Sequence, residues 1–176
     1  EGIKDIESED LINAEKLGYK IKLLGFAEIF NNKIFQRVHP TLVYNTSYIS
    51  KVNGVLNAVI IEGNPIGKFT MQGEGAGPGP TTSALVSDIC SILRGNIKFP
   101  FSIPHKSRKK IKSNNISDEY FSSYIRLDVI DKTGVLSSIT KILSKHKISV
   151  KRLIQNPFKS KKFASIIIIS HKSKNL

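Results

Sequence analysis

The sequence predicts an α+β protein in two parts, and three observations lead there. Short stretches in which apolar and polar residues alternate end in Asn, Gly or Pro, as strands do. Two longer stretches carry apolar residues at helical spacing. Between the parts, Asn96 to Asn115 holds prolines and basic residues with little periodicity, the composition of a linker or a long excursion.

The elements follow in order. Asp10 to Leu17 reads as a short helix, with Leu11, Ala14 and Leu17 on one face and Gly18 as its stop. Tyr19 to Ile29 alternates as a strand, Asn31-Asn32 is a turn, and Ile34 to Val38 is the partner strand of a hairpin that His39-Pro40 breaks. Ser47 to Val52 is a helical turn. Leu56 to Glu62 and Lys68 to Gln72 are strands joined by the turn Gly63 to Gly67. The second strand delivers the chain into Gly73-Glu74-Gly75-Ala76-Gly77-Pro78-Gly79-Pro80, which opens a helix over about Thr81 to Arg94. Ala84, Leu85, Ile89, Ile92 and Leu93 give that helix an apolar side, and Gly95 ends it. The second part reads β-α-β-β. It has a strand at Phe121 to Ile130, a turn and helix start at Asp131 to Gly134, and an apolar stripe of Val135, Leu136, Ile139, Ile142 and Leu143. A strand at Ile148 to Ile154, a basic turn from Asn156-Pro157 to Lys162 and a strand at Phe163 to Ser170 follow. Its run Ile166 to Ile169 suits a strand covered on both faces or at an interface. One helix on three strands leaves part of such a sheet uncovered, so the chain reads as cut at both ends, in keeping with its lack of an initiator Met.

Composition narrows the function. The single cysteine, Cys90, excludes an internal disulfide framework and reads as a small core residue. With four scattered histidines and no second cysteine, no metal site is expected. The apolar runs are too short to span a bilayer, so no membrane partner is expected. The net charge of +13 concentrates mainly at Lys106 to Lys112, without an aromatic ladder or a nucleic-acid motif, and reads as a solvated linker rather than a nucleic-acid surface.

Candidate catalytic groups are few. His39 reads as structural, and His105, His146 and His171 as solvated. The acidic run Asp5, Glu7, Glu9 and Asp10 reads as an exposed loop and a helix N-terminus. Lys20 and Lys22 fall on the polar face of a strand, and Asn53 and Asn57 read as buried amides holding a loop. The glycine-rich stretch carries the most. Glycines allow positive φ and close approach, Pro80 suits a first helical turn, and Thr81 or Thr82 can cap the free amides. A loop of this kind is either a tight strand-to-helix connection or an anion or dinucleotide contact; its spacing is not Gly-x-Gly-x-x-Gly.

Beyond the residue chemistry, ordered motifs resemble the C-terminal part of homoserine dehydrogenase. They are Leu17-Gly18-Tyr19-Lys20-Ile21-Lys22-Leu23-Leu24-Gly25, Arg37-Val38-His39-Pro40, Val52-Asn53-Gly54-Val55-Leu56-Asn57-Ala58-Val59, and Gly73-Glu74-Gly75-Ala76-Gly77 with Pro80-Thr81-Thr82-Ser83-Ala84 and Asp88-Ile89. Asp131-Lys132-Thr133-Gly134-Val135-Leu136 and His146-Lys147-Ile148-Ser149-Val150 resemble the regulatory ACT domain, with Thr133 where that turn usually has Pro.

The resemblance implies an α+β fold: a mixed sheet with helices on one face, then a truncated ferredoxin-like β-α-β-β module. It divides the chain into a substrate and dimerisation region at 1–95, a basic linker at 96–117 and a partial ACT domain at 118–176. The activity implied is NAD(P)H-dependent reduction of L-aspartate 4-semialdehyde to L-homoserine, in threonine, methionine and isoleucine biosynthesis. An NADP or NAD contact is implied at Gly77, with Gly75, Ala76 and Thr81 beside it, and an effector site, for threonine, at Asp131, Gly134, Val135 and Ile148. A cytoplasmic homodimer or homotetramer is implied. No catalytic residue is assigned, because the family's dinucleotide-binding domain and catalytic lysine block precede the matching region; the 176 residues alone are expected to be inactive. The alternative is a non-enzymatic, ACT-type amino-acid-binding fragment.

Overall fold

The computed structural model describes residues 3–96, 102–114, 120–157 and 162–174. In chain order the elements are α1 (Ser8–Lys16), β1 (Tyr19–Phe30), β2 (Lys33–Tyr44), a 3-10 turn (Tyr48–Lys51), β3 (Leu56–Gly63), β4 (Gly67–Glu74), α2 (Pro78–Leu93) and a second 3-10 turn (His105–Ser107). Then come β5 (Lys112–Ser113), β6 (Tyr120–Phe121), β7 (Tyr124–Ile130), α3 (Val135–Lys145), β8 (Val150–Pro157), β9 (Phe163–Ser170) and β10 (Ser173–Lys174). The chain forms two compact units, Glu1–Leu42 with Ile111–Leu176, and Val43–Lys110. Among the described residues no helix is long and apolar enough to cross a membrane.

The first unit is built around β9. The sheet order is β7-β9-β8, both pairings antiparallel, so β9 is the middle strand. Ile166, Ile167, Ile168 and Ile169 are at most 2 % exposed. Successive side chains on a strand face opposite ways. Ile166 and Ile168 accordingly pack with Leu143 and Ile148 on the α3 side, while Ile167 and Ile169 pack with Ala14, Leu17 and Tyr19 from the N-terminal end. The expectation of a strand covered on both faces holds. The expectation of an uncovered sheet does not: α1 and the start of β1 lie on the second face.

Polar groups fasten α1 to that sheet. The Asp10 carboxylate is 3 % exposed and accepts the Tyr124 hydroxyl at 2.8 Å and the Glu7 amide at 2.9 Å. Arg126 Nη1 lies 3.4 Å from Asp10 Oδ2 and 2.7 Å from Glu7 Oε2. Asn156 Nδ2 donates to Asn13 Oδ1 at 2.9 Å, and Arg152 donates to the Leu17 carbonyl. The acidic run therefore does form a helix N-terminus, but Asp10 is buried rather than exposed. Its removal from water is offset by two neutral donors and a guanidinium.

Beside it, β1, β2 and β5 form a second sheet of this unit, with β5 parallel to β2 at Lys33 and Ile34 only. Asn31 (φ 49°) and Asn32 (φ 59°) make the turn between β1 and β2, a conformation that Asn tolerates. The partner strand does not break at His39-Pro40 but runs on to Tyr44. Because β5 reaches only the start of β2, the missing N–H of Pro40 can face an edge without a lost ladder bond. Arg37 stacks 4.0 Å from the centroid of Phe121 and also lies over Phe35 and Phe26. Burial lowers its pKa from the usual guanidinium value.

Other expectations shift locally. Phe121 to Ile130 is not one strand, since β6 and β7 are separated at Ser122 and Ser123; β6 pairs instead with β10. Ser170 Oγ accepts the Ser123 amide at 2.9 Å across that break. Ile148 precedes β8 rather than beginning it. Of the stretch from Asn96 to Asn115, residues 97–101 and 115 lie outside the described residues, as do 158–161 of the basic turn and 116–119, where the second part was expected to start. What is described of the stretch includes a 3-10 turn and β5.

The second unit holds the β3-β4 hairpin, paired from Leu56↔Glu74 to Gly63↔Gly67, and α2. No residue of α2 is buried: Leu85, Ile89, Ile92 and Leu93 are 48–80 % exposed, and Cys90 is half-buried rather than a core residue. The exposed apolar side is the one that the helical spacing predicts. Asn53 and Asn57 are exposed, not buried amides.

Candidate functional site

The glycine loop is formed where the hairpin ladder ends. Glu74 is the last paired residue of β4, and the Gly75 amide donates to the Val55 carbonyl at 2.9 Å, in register with the ladder, before the chain leaves the sheet. Gly77 then takes φ 109°, ψ 159° and is the N-cap of α2. Only glycine adopts that φ without strain. Pro78 and Pro80 occupy the first turn, where a missing N–H removes no helical bond.

Thr81 does not cap the helix amides, as the sequence suggested it could. Its hydroxyl donates back to the Gly77 carbonyl at 2.8 Å, beside the Thr81 amide on the same oxygen at 3.3 Å. Pro78 and Pro80 have no N–H, so among the first four residues of α2 only Gly79 has an amide hydrogen not directed to Gly77. A loop so poor in free first-turn donors is a weak phosphate cradle. Gly75, Ala76, Gly77 and Thr81 are thus brought together, all exposed, at one strand-to-helix turn.

Three of the four ACT-like residues lie together within the first unit. Asp131, Gly134 and Val135 line a cleft of about 260 Å³, with Gln155 of β8 and Ile166 of β9 opposite the turn. Gly134 (φ 91°) is the N-cap of α3, and no side chain caps that helix. Gln155 Nε2 donates to Asp131 Oδ1 at 3.5 Å, and the Asp131 amide donates to the Lys162 carbonyl at 2.9 Å. Ile148 is not among the lining residues; it is buried in the core beneath α3. Gln155 is a polar lining residue that the sequence reading missed. The alternation of β8 puts it on this face, but its strand neighbour could not be known without the register.

His39 lies within β2, where its Nδ1 is 3.1 Å from Thr41 Oγ1. Among the described residues no group of three or more His, Cys, Asp or Glu side chains could hold a metal ion.

Comparison with known proteins adds the following. Residues 1–90 match the family model described as homoserine dehydrogenase, and residues 123–174 match the ACT domain. A homoserine dehydrogenase of Helicobacter pylori is 39 % identical over 173 residues, covering 97 % of this chain and 40 % of the relative. One of Bacillus subtilis is 33 % identical over 175 residues, with 97 % and 40 % covered. The crystal structure of a homoserine dehydrogenase from Thiobacillus denitrificans superposes with a TM-score of 0.79 at 34 % identity, covering 98 % of this chain and 40 % of that one. The chain thus spans about two-fifths of the length of the relatives it matches.

Proposed function

The chain belongs to the homoserine dehydrogenase family, and from that premise we propose that it forms part of an enzyme reducing L-aspartate 4-semialdehyde to L-homoserine with NADPH or NADH. The observation that carries the reading is the strand-loop-helix turn at Gly75–Gly77 inside the family match. The bound nicotinamide supplies hydride to the aldehyde carbon. This chain's share is to let the ring approach. Gly77 holds the turn open at a φ that a side chain would strain, and Thr81 ties the turn to α2, with Gly75 and Ala76 leading into it. A full-length family enzyme carrying these residues is expected to oxidise NADPH when given the aldehyde. Gly77→Val, which forces a β-branched residue to φ 109°, is expected to raise the KM for NADPH. The 176 residues alone carry no Gly-x-Gly-x-x-Gly and are expected to show no turnover in the same assay. No aldehyde-dependent oxidation by the full-length enzyme would overturn the reading.

The cleft at Asp131 favours a second role beside the first, that of an amino-acid effector site. Its volume, about 260 Å³, suits a molecule of the size of threonine. In this reading Asp131 takes the ammonium and the start of α3, which no side chain caps, takes the carboxylate. The enzyme is read as a cytoplasmic homodimer or homotetramer. The exposed apolar side of α2 supports assembly.

A further inference from the structure

Gly75 poses a question that its backbone does not answer. It lacks the positive φ of Gly77, so its conformation is open to any residue. What a side chain there would meet is another side chain. A methyl built on Gly75 would overlap Nδ2 of Asn57 and lie 2.6 Å from Asn57 Cγ and 3.4 Å from Asn57 Cβ, and the three nearest atoms all belong to that one residue. The bare face of Gly75 is therefore occupied by the Asn57 carboxamide.

The register explains how it gets there. Asn57 pairs with Gly73 in the β3-β4 ladder, and Gly75 is two residues further along the same face. With glycine both opposite and diagonal, nothing on the neighbouring strand stands in the way. Asn57 is exposed, and no hydrogen bond joins its amide to any described residue. A primary carboxamide offers two donors and an acceptor with two lone pairs. Here all of them lie at the edge of a loop whose own first-turn donors are reduced to Gly79.

We propose that Asn57 is a cofactor-contact residue of the glycine loop, its carboxamide lying on bare Gly75 to exchange hydrogen bonds with the carboxamide of a nicotinamide ring. The inference rests on the reading of the loop as a nicotinamide contact and adds the polar partner that the glycines lack. The absence of a side chain at Gly75 leaves room for Asn57 to lie against the loop.

The test uses a full-length family enzyme carrying these residues, assayed with NADPH and aspartate 4-semialdehyde. Asn57→Ala is expected to raise the KM for NADPH about fivefold, the order of one hydrogen bond, while the KM for the aldehyde and the melting temperature stay unchanged. Gly75→Ala is expected to raise the KM for NADPH with little change in melting temperature, because the methyl displaces the exposed end of Asn57, which can move aside. The double variant Asn57→Gly/Gly75→Ala separates space from chemistry. It should leave the KM raised although nothing crowds the loop. An unchanged KM in Asn57→Ala, or a KM restored in the double variant, would reduce Asn57 to a spacer and overturn the proposal. An unmodified enzyme that neither binds nor oxidises NADPH overturns the reading of the loop, and the proposal with it.

Discussion

Asp10 shows what a single buried carboxylate can organise. It accepts one hydroxyl and one amide and faces one guanidinium, so that α1 and β7 are held by charge-assisted bonds. Burial first, and then the Asp10 bond, raise the pKa of the Tyr124 phenol above its ordinary value. In the unfolded chain the phenol loses its proton at about pH 10, while in the folded unit it keeps it. The stability it contributes is thus complete below about pH 10 and is lost as the pH climbs toward the raised value. Tyr124→Phe is expected to cost about 1.5–3 kcal/mol at neutral pH, the range for a bond to a charged group. It should also flatten the fall in melting temperature measured by circular dichroism above pH 10. A variant as alkali-sensitive as the parent would contradict this. Asp10 was legible as a helix start, because acidic residues precede an apolar period. Its burial was not, because the partners Tyr124 and Arg126 lie more than a hundred positions away and leave no local trace.

Among elements, β9 was the most legible and α2 the least. Four consecutive isoleucines have no polar side to offer to water, so a strand covered on both faces was the physical solution. What the sequence withheld was the identity of the second cover. Ala14, Leu17 and Tyr19 come from the opposite end of the chain, where the short helix looked like an ordinary amphipathic surface element. Ile167→Ala is expected to cost about 2–5 kcal/mol, since the side chain is fully buried between α1 and the sheet. Chemical denaturation of the variant checks it, and a loss below about 1 kcal/mol would mean that α1 does not seal that face. In α2 the apolar spacing was read correctly, but spacing says only which side is apolar. The capping role given to Thr81 failed for a local reason: Gly77 is the N-cap, so Thr81 is four residues in, where a hydroxyl bonds back to a carbonyl.

At the scale of the molecule, the discontinuous unit is what sequence reading could not reach. Composition divided the chain once, at the Pro- and Lys-rich stretch, whereas the compact units divide it so that Glu1–Leu42 and Ile111–Leu176 belong together. Periodicity reports which face of a segment is apolar, not which distant segment meets it. A piece ending at residue 95 would therefore keep α1, β1 and β2 and lose Ile167, Ile169, Tyr124 and Asn156, which pack on or bond to them. Expressed alone, residues 1–95 are expected to lack a cooperative thermal transition, which the whole chain should show. A sharp transition in the short piece would refute the dependence of α1 on the far end.

The bond between Asn13 and Asn156 spans 143 residues of chain. On the ribosome, at about 5–20 residues per second, α1 leaves the exit tunnel many seconds before β8 and β9 exist. Through that interval Ala14, Leu17 and the Asp10 carboxylate lack Ile167, Ile169 and Tyr124, their partners in the folded unit. The helix is too short to persist by itself in water. A helix made well before its partners is thus among the last elements of its unit to gain structure, and its order is fixed in time by the completion of β9.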